Sequence, residues 1–339
     1  MKKSLLALAV LTAASGATFA QSSVTLYGKI DLGLVVDGGG DGGKSVRLSS
    51  GVSGGSRLGF KGVEDLGGGM KAAFQLETGY CADSTAGGYC TGGGLFGRQA
   101  HGDLTGSFGA ISAGRQYSLG FNNLSTIDPF GTGYAGQTDN SDPTGTHFLV
   151  DAAGLRLNNS VTYSTPSMGG LVASAEVSFG EVQGNWESGR ETGAALTYAA
   201  GPAYVGFSYY DKENVAGNSA ALKDYLLGGT YDFGVVKLHA LVQKVSATYD
   251  EINLMGGVTV PIGPGALMAS YIHHNDRRST DMDASQFGLG YTYPLSKRTS
   301  VYASGAKIDN HNGAVFRVGN STDVGTGNKS VNFGVVHDF

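Results

Sequence analysis

The chain has 339 residues, a formal charge of −5 and 57 glycines, and only 15% of its residues are charged. That glycine content is far above the usual ~7% and carries no triplet period, which excludes collagen, while the acidity argues against nucleic acid as the main partner. Beyond the first twenty residues no run of ~18 apolar residues occurs, so the chain offers no helical membrane span.

Residues 1–20 read as an export signal. Lys2 and Lys3 supply the positive end, Leu5 to Ala14 a short apolar stretch, and Thr18-Phe19-Ala20 the small residues of a cleavage site. Cleavage before Gln21 leaves 21–339 as one domain and lowers the formal charge from −5 to −7. The first structural segment follows at 24–36. Val24, Leu26, Ile30, Leu32, Leu34 and Val36 share one phase, and Thr25, Tyr27, Lys29, Asp31 and Gly33 the other. Period-two alternation marks a strand with one apolar and one wetter face.

Similar segments recur at 56–64, 70–80, 95–105, 108–116, 156–165, 171–181, 191–200, 203–211, 223–233, 235–245, 251–260, 266–275, 284–293, 299–309 and 329–339. With the first they make an even set of sixteen, each ~10 residues long, as in an outer-membrane barrel. Short connections alternate with long ones rich in Gly, Asp, Asn and Ser, at 37–55, 81–94, 117–155, 182–190, 212–222, 246–250, 276–283 and 310–328. Short turns on one rim and long loops on the other give the barrel its direction, the short side periplasmic. All seven prolines are assigned to connections, as a hydrogen-bonded ladder requires. The last strand ends on Phe339, and an even strand count lets it close on the first. The expected fold is therefore all-β, a sixteen-stranded antiparallel transmembrane β-barrel. Segment 117–155 is too long for an ordinary loop. Folded inward, it would narrow a barrel too wide for its wall side chains to fill.

Several motifs invite other readings. Cys81 and Cys90 lie in one long connection, and in an exported chain they are expected to form a loop-closing disulfide. No His or acidic cluster completes a metal site around them. Gly38 to Ser45 satisfies the phosphate-loop string, but no helical pattern follows to bind the phosphate, so the stretch is assigned to the first external loop. His273 and His274 are adjacent on a strand and point to opposite faces, so they cannot share one ion; rim positions are expected. No nucleophile elbow stands out. Tyr198, Tyr204, Tyr209, Tyr291, Tyr293, Tyr302 and Phe333 are assigned to interfacial girdles, and little conventional core is expected. No cofactor or metal is expected.

The segments Ser23-Val24-Thr25-Leu26-Tyr27-Gly28-Lys29-Ile30-Asp31, Ser56-Arg57-Leu58-Gly59-Phe60-Lys61-Gly62-Val63-Glu64-Asp65-Leu66-Gly67, Phe96-Gly97-Arg98-Gln99-Ala100, Gly114-Arg115-Gln116, Arg156-Leu157-Asn158-Asn159-Ser160-Val161-Thr162-Tyr163 and the terminal His337-Asp338-Phe339 stand in family order along the mature chain. By them the chain resembles the general trimeric porins of Gram-negative bacteria, especially the beta-proteobacterial branch. The resemblance implies a homotrimer in outer-membrane lipid, exported through the periplasm, and passive diffusion of ions and small hydrophilic solutes. It also implies that the third extracellular loop folds into each pore. Basic wall residues would face loop acids across a constriction. Lys29, Arg57, Arg98 and Arg156 match the basic wall, Asp128 the loop acid, and Asp139 and Asp142 align with that loop too. Strand phase alone also turns Lys29, Arg57 and Lys61 inward, because a charge on the lipid face costs ~2–4 kcal/mol near mid-membrane. Wall cations outnumber loop acids, which leans towards anion preference, while inward Asp31 and Glu77 push the other way. A solute-selective channel of the same architecture is the alternative, ahead of an outer-membrane enzyme or an adhesive surface protein.

Overall fold

A computed structural model of the chain describes residues 23–84, 93–138, 140–141, 147–148, 154–214 and 221–339. The export segment, Cys90, Asp139 and Asp142 lie outside them; Cys81 is disulfide-bonded. The strands in chain order are β1 (Ser23–Gly40), β2 (Gly43–Ser50), β3 (Arg57–Gly67), β4 (Met70–Gly79), β5 (Gln99–Gly106), β6 (Gly109–Tyr117), β7 (Asn140–Ser141), β8 (His147–Phe148), β9 (Arg156–Ser164) and β10 (Leu171–Ser178). They continue as β11 (Glu191–Ala200), β12 (Ala203–Lys212), β13 (Leu222–Asp232), β14 (Lys237–Ser246), β15 (Asp250–Ile262), β16 (Gly265–Asp276), β17 (Ala284–Pro294), β18 (Thr299–Asn310) and β19 (Lys329–Asp338). Among the described residues one helix, α1 (Leu119–Ile127), lies between β6 and β7.

Seventeen strands form a single antiparallel sheet, and β7 pairs only with β8. β2 and β3 lie end to end beside β1, so the wall has sixteen courses. β19 returns to β1 with Lys29 opposite Asp338 and Val36 opposite Val331. The last rung joins Gly28 and Phe339, whose backbone N–H groups each donate to the other's carbonyl at 3.0 Å. Among the described strands of the wall, closure leaves no unpaired edge in the hydrocarbon, where an unpaired backbone group costs several kcal/mol.

Alternation sorts the faces. Leu26, Leu34, Phe60, Leu254, Phe287 and Phe333 are exposed on the outer surface, while Asp31, Glu77, Glu176, Asp224, Gln243, Asn253, Gln286 and Asn332 are buried on the inner one. The expected first loop at 37–55 is mostly strand, because β1 runs on to Gly40 and turns at once into β2. Only 51–56 leaves the ladder. Two prolines sit inside strand ends rather than in connections, Pro261 in β15 and Pro294 in β17. At the turn end of a strand a missing N–H costs little.

The barrel also holds an apolar core that alternation did not foresee. Leu124, Ile127 and Ala135 of the long loop pack with Leu226, Leu241, Met255, Ile272, Ile308, Phe316 and Val318. Tyr204 and Tyr302 belong to this interior and not to a girdle. Tyr204 donates to Asn123 at 2.6 Å and buried Tyr302 donates to Asp31 at 2.7 Å. Exposed Tyr198, Tyr293 and Phe333 remain on the outer face. His273 and His274 do diverge, but His274 is buried rather than on the rim, 2.7 Å from the Asn253 side-chain oxygen.

Candidate functional site

The wall half of the site begins with register. Lys29 of β1 and Arg57 of β3 are direct partners, so the phase that turns Leu26 and Phe60 outward turns both cations inward. Arg98 stands just before β5. Its backbone N–H donates to the Glu77 carbonyl at 3.1 Å, and its Nε lies 2.7 Å from Glu77 Oε1 in a buried pair. Tyr27 donates to the other Glu77 oxygen at 3.0 Å and accepts from Gln75 at 2.7 Å. The Tyr27 ring lies over Gly59, where a Cβ would sit 2.4 Å from the ring, so only glycine admits this arrangement. The Lys61 ammonium is 5.3 Å from the same ring and extends the basic wall towards the short-turn rim.

Arg156 reaches the group by a fault in the ladder. Between Gly114 and Gln116 the β6–β9 register slips, and Asn159 takes a φ of +50°. Tyr117 thereby faces Arg156. The Tyr117 hydroxyl accepts from Arg98 at 2.6 Å and from Arg156 at 2.8 Å, which ties the two guanidinium groups together. The Arg156 guanidinium also lies 4.5 Å from the centre of the Tyr117 ring. Such bulges re-aim side chains at functional sites.

The opposite half is the long loop. Ser118 caps α1, its Oγ accepting from Phe121 N at 3.1 Å. Gly120, Asn123, Leu124 and Ile127 form the buried stripe. Asn123 donates to the Phe207 carbonyl at 3.2 Å, and His239 Nδ1 donates to the Ile127 carbonyl at 2.6 Å. With this stripe on the wall of β11 to β14, Phe121, Asn122 and Ser125 are left facing Lys29, Arg57, Arg98 and Arg156 across a cavity of about 300 Å3. Tyr117, Ser53 and Gly54 of segment 51–56, Thr132 of the loop and Ser321 of the last loop also line it, and no acidic residue is among the described ones that do.

The expected acids are placed otherwise. Asp128 does not face the basic wall. It is buried inside its own loop, accepting from Phe130 N and Thr132 N at 2.9 Å each, Thr138 N at 3.3 Å and Thr138 Oγ1 at 3.2 Å. Burial pushes its carboxyl up to about 6, against the pull of those donors. Asp31 is inward-pointing yet sealed, with Ser53 N at 2.6 Å, Ser53 Oγ at 2.7 Å, Gly54 N at 3.0 Å and the Tyr302 hydroxyl around it. Glu77 is neutralised by Arg98. Neither offers a free carboxylate to a passing ion. Sequence reasoning missed Tyr117, Phe121, Asn122 and Ser125 as site residues. The signal for the last three was the stripe at 120, 123, 124 and 127 behind a Ser cap.

A family model described as Gram-negative porin matches residues 7–313. Outer membrane porin protein 32 of Delftia acidovorans is 36% identical over 327 residues, spanning 91% of this chain and 90% of the relative. Major outer membrane protein P.IB of Neisseria meningitidis serogroup B is 30% identical over 326 residues, spanning 90% of this chain and 92% of the relative. Among solved structures, an anion-selective porin from Comamonas acidovorans matches with a TM-score of 0.78 at 29% identity, covering 94% of this chain and 100% of its own.

Proposed function

Because this chain belongs to the Gram-negative porin family, we propose that its constriction passes small hydrophilic anions in preference to cations, with Lys29, Arg57, Arg98 and Arg156 setting that preference. The protein is an outer-membrane porin, a passive diffusion channel and not an enzyme. The observation that carries the reading is the asymmetry of the cavity, four basic side chains on the wall, of which Arg98 is paired with Glu77 and Lys29 lies 3.5 Å from Asp338, against an amide, hydroxyls and a ring on the loop.

An anion entering this gap exchanges water for guanidinium and ammonium donors. Two unit charges 4 Å apart attract by about 4 kcal/mol at an effective dielectric of 20, and by about 1 kcal/mol in bulk water. A cation meets the same field as a barrier. Conduction also needs release, so the stations must be several and weak. Arg98 is held by Glu77 and Tyr117, and Arg156 by Tyr117, which tempers each as a trap. The Arg57 terminal nitrogens have no hydrogen bond among the described residues, since its Nε bond to the Gly55 carbonyl is its one side-chain contact of that kind. Arg57 is therefore the cation most able to touch the ion.

Removal of 1–20 on export and assembly of three barrels per complex complete the reading, supported by the leader composition and by the family. Purified protein in a planar bilayer under a potassium chloride gradient should reverse on the chloride side, and Arg57→Gln should move the reversal potential towards zero. A wild-type reversal on the potassium side would overturn the proposal.

A further inference from the structure

We propose that the constriction contains a saturable subsite for planar aromatic carboxylates, on which such anions bind more tightly than aliphatic anions of equal charge and size. This rests on the anion-channel reading above and goes further by naming a solute class. The cavity that holds the cations is also lined by Phe121. Its ring stacks on Tyr117 with centroids 4.7 Å apart and planes 24° from parallel. Tyr117 is in turn held by the Arg98 and Arg156 bonds to its hydroxyl. The platform is thus rigid, because its base is pinned by two guanidinium groups and its upper ring is carried by a capped helix.

One side chain there keeps donors without a partner, since the terminal nitrogens of Arg57 have no hydrogen bond among the described residues. Chloride or acetate would use the cations alone. A benzoate-like anion can set its carboxylate on Arg57 while its ring lies along Phe121, and so uses both parts of the lining. Offset stacking of rings is worth roughly a three- to tenfold gain in affinity over equal apolar contact. A cavity of about 300 Å3 is at the lower end of small-molecule sites, which suits a single ring and not a larger solute.

The test is block of chloride current through single channels by benzoate and by cyclohexanecarboxylate, which share charge and approximate size but differ in planarity. In the wild type benzoate should half-block at a concentration roughly three- to tenfold lower. Phe121→Leu should bring the two blockers level and Phe121→Tyr should keep them apart. Taking the ratio within each variant cancels any change in basal conductance. Equal block in the wild type, or an unchanged ratio in Phe121→Leu, would overturn the subsite while leaving chloride selectivity, and hence the channel reading, intact. Potassium selectivity in the wild type would instead remove the channel reading itself.

Discussion

Asp128 shows how one residue can look functional in sequence and prove architectural in space. Four donors converge on its carboxyl and fold the chain from Phe130 to Thr138 around it. Its value of about 6 lies above the ordinary 3.8, so the folded loop binds a proton that the unfolded chain releases between those limits. Its contribution to stability is therefore full below pH 3.8 and declines as pH rises through about 6, by on the order of 3 kcal/mol. Thermal unfolding of the wild type and Asp128→Asn at pH 7.5 and pH 5 should show the gap between them moving in favour of the wild type on acidification. A gap that stays constant would contradict this assignment. Arg98 and Glu77 show the opposite economy, since removing either partner of a buried pair strands the other at ~3–5 kcal/mol.

At the scale of elements, the long loop is held on the wall by apolar packing and by backbone contacts at glycine. Gln286 donates to the carbonyls of Gly136 at 3.2 Å and Gln137 at 2.9 Å. Gly288 is the tight point, where a Cβ would lie 2.7 Å from the Gly136 Cα. Gly288→Val must push the loop off β17 towards the basic wall, at an overpacking cost of ~1–3 kcal/mol. Single-channel current should fall and become noisier while circular dichroism of the barrel stays unchanged. Current identical to wild type would mean that the loop does not define the aperture. The β1–β2 hairpin is secured by ion pairs instead. Arg47 pairs with buried Asp37 and lies 3.8 Å from Asp323 of the last loop.

For the whole molecule, closure is the decisive event. Phe339 contributes both backbone bonds to Gly28, and its ring covers that glycine so closely that a Cβ there would stand 2.3 Å from Phe339 Cζ. Deleting Phe339 removes the final rung and leaves the Gly28 N–H and carbonyl at an open seam. Yield of heat-resistant folded barrel on a gel should drop severalfold, whereas Phe339→Tyr should restore most of it. Full yield from the truncated chain would show that the seam closes without this residue.

Alternation along the chain was enough to read the closed barrel, and it sets Lys29, Arg57 and Lys61 in the phase opposite Leu26 and Phe60. Period-two order is local, and the bilayer enforces it at every rung. The rest depended on contacts distant in sequence. The β6–β9 slip leaves Asn158 and Asn159 unpaired between Arg156 and the regular alternation that starts at Ser160, so the phase of β9 does not carry back to that side chain. Asp128 and Asp31 are spent on donors that only the folded loops supply. The apolar core came from inward residues such as Leu226, Ile272 and Ile308 meeting Leu124 and Ile127. Strand periodicity says which side a residue takes, and only the folded loop decides whether that side is water or packed protein.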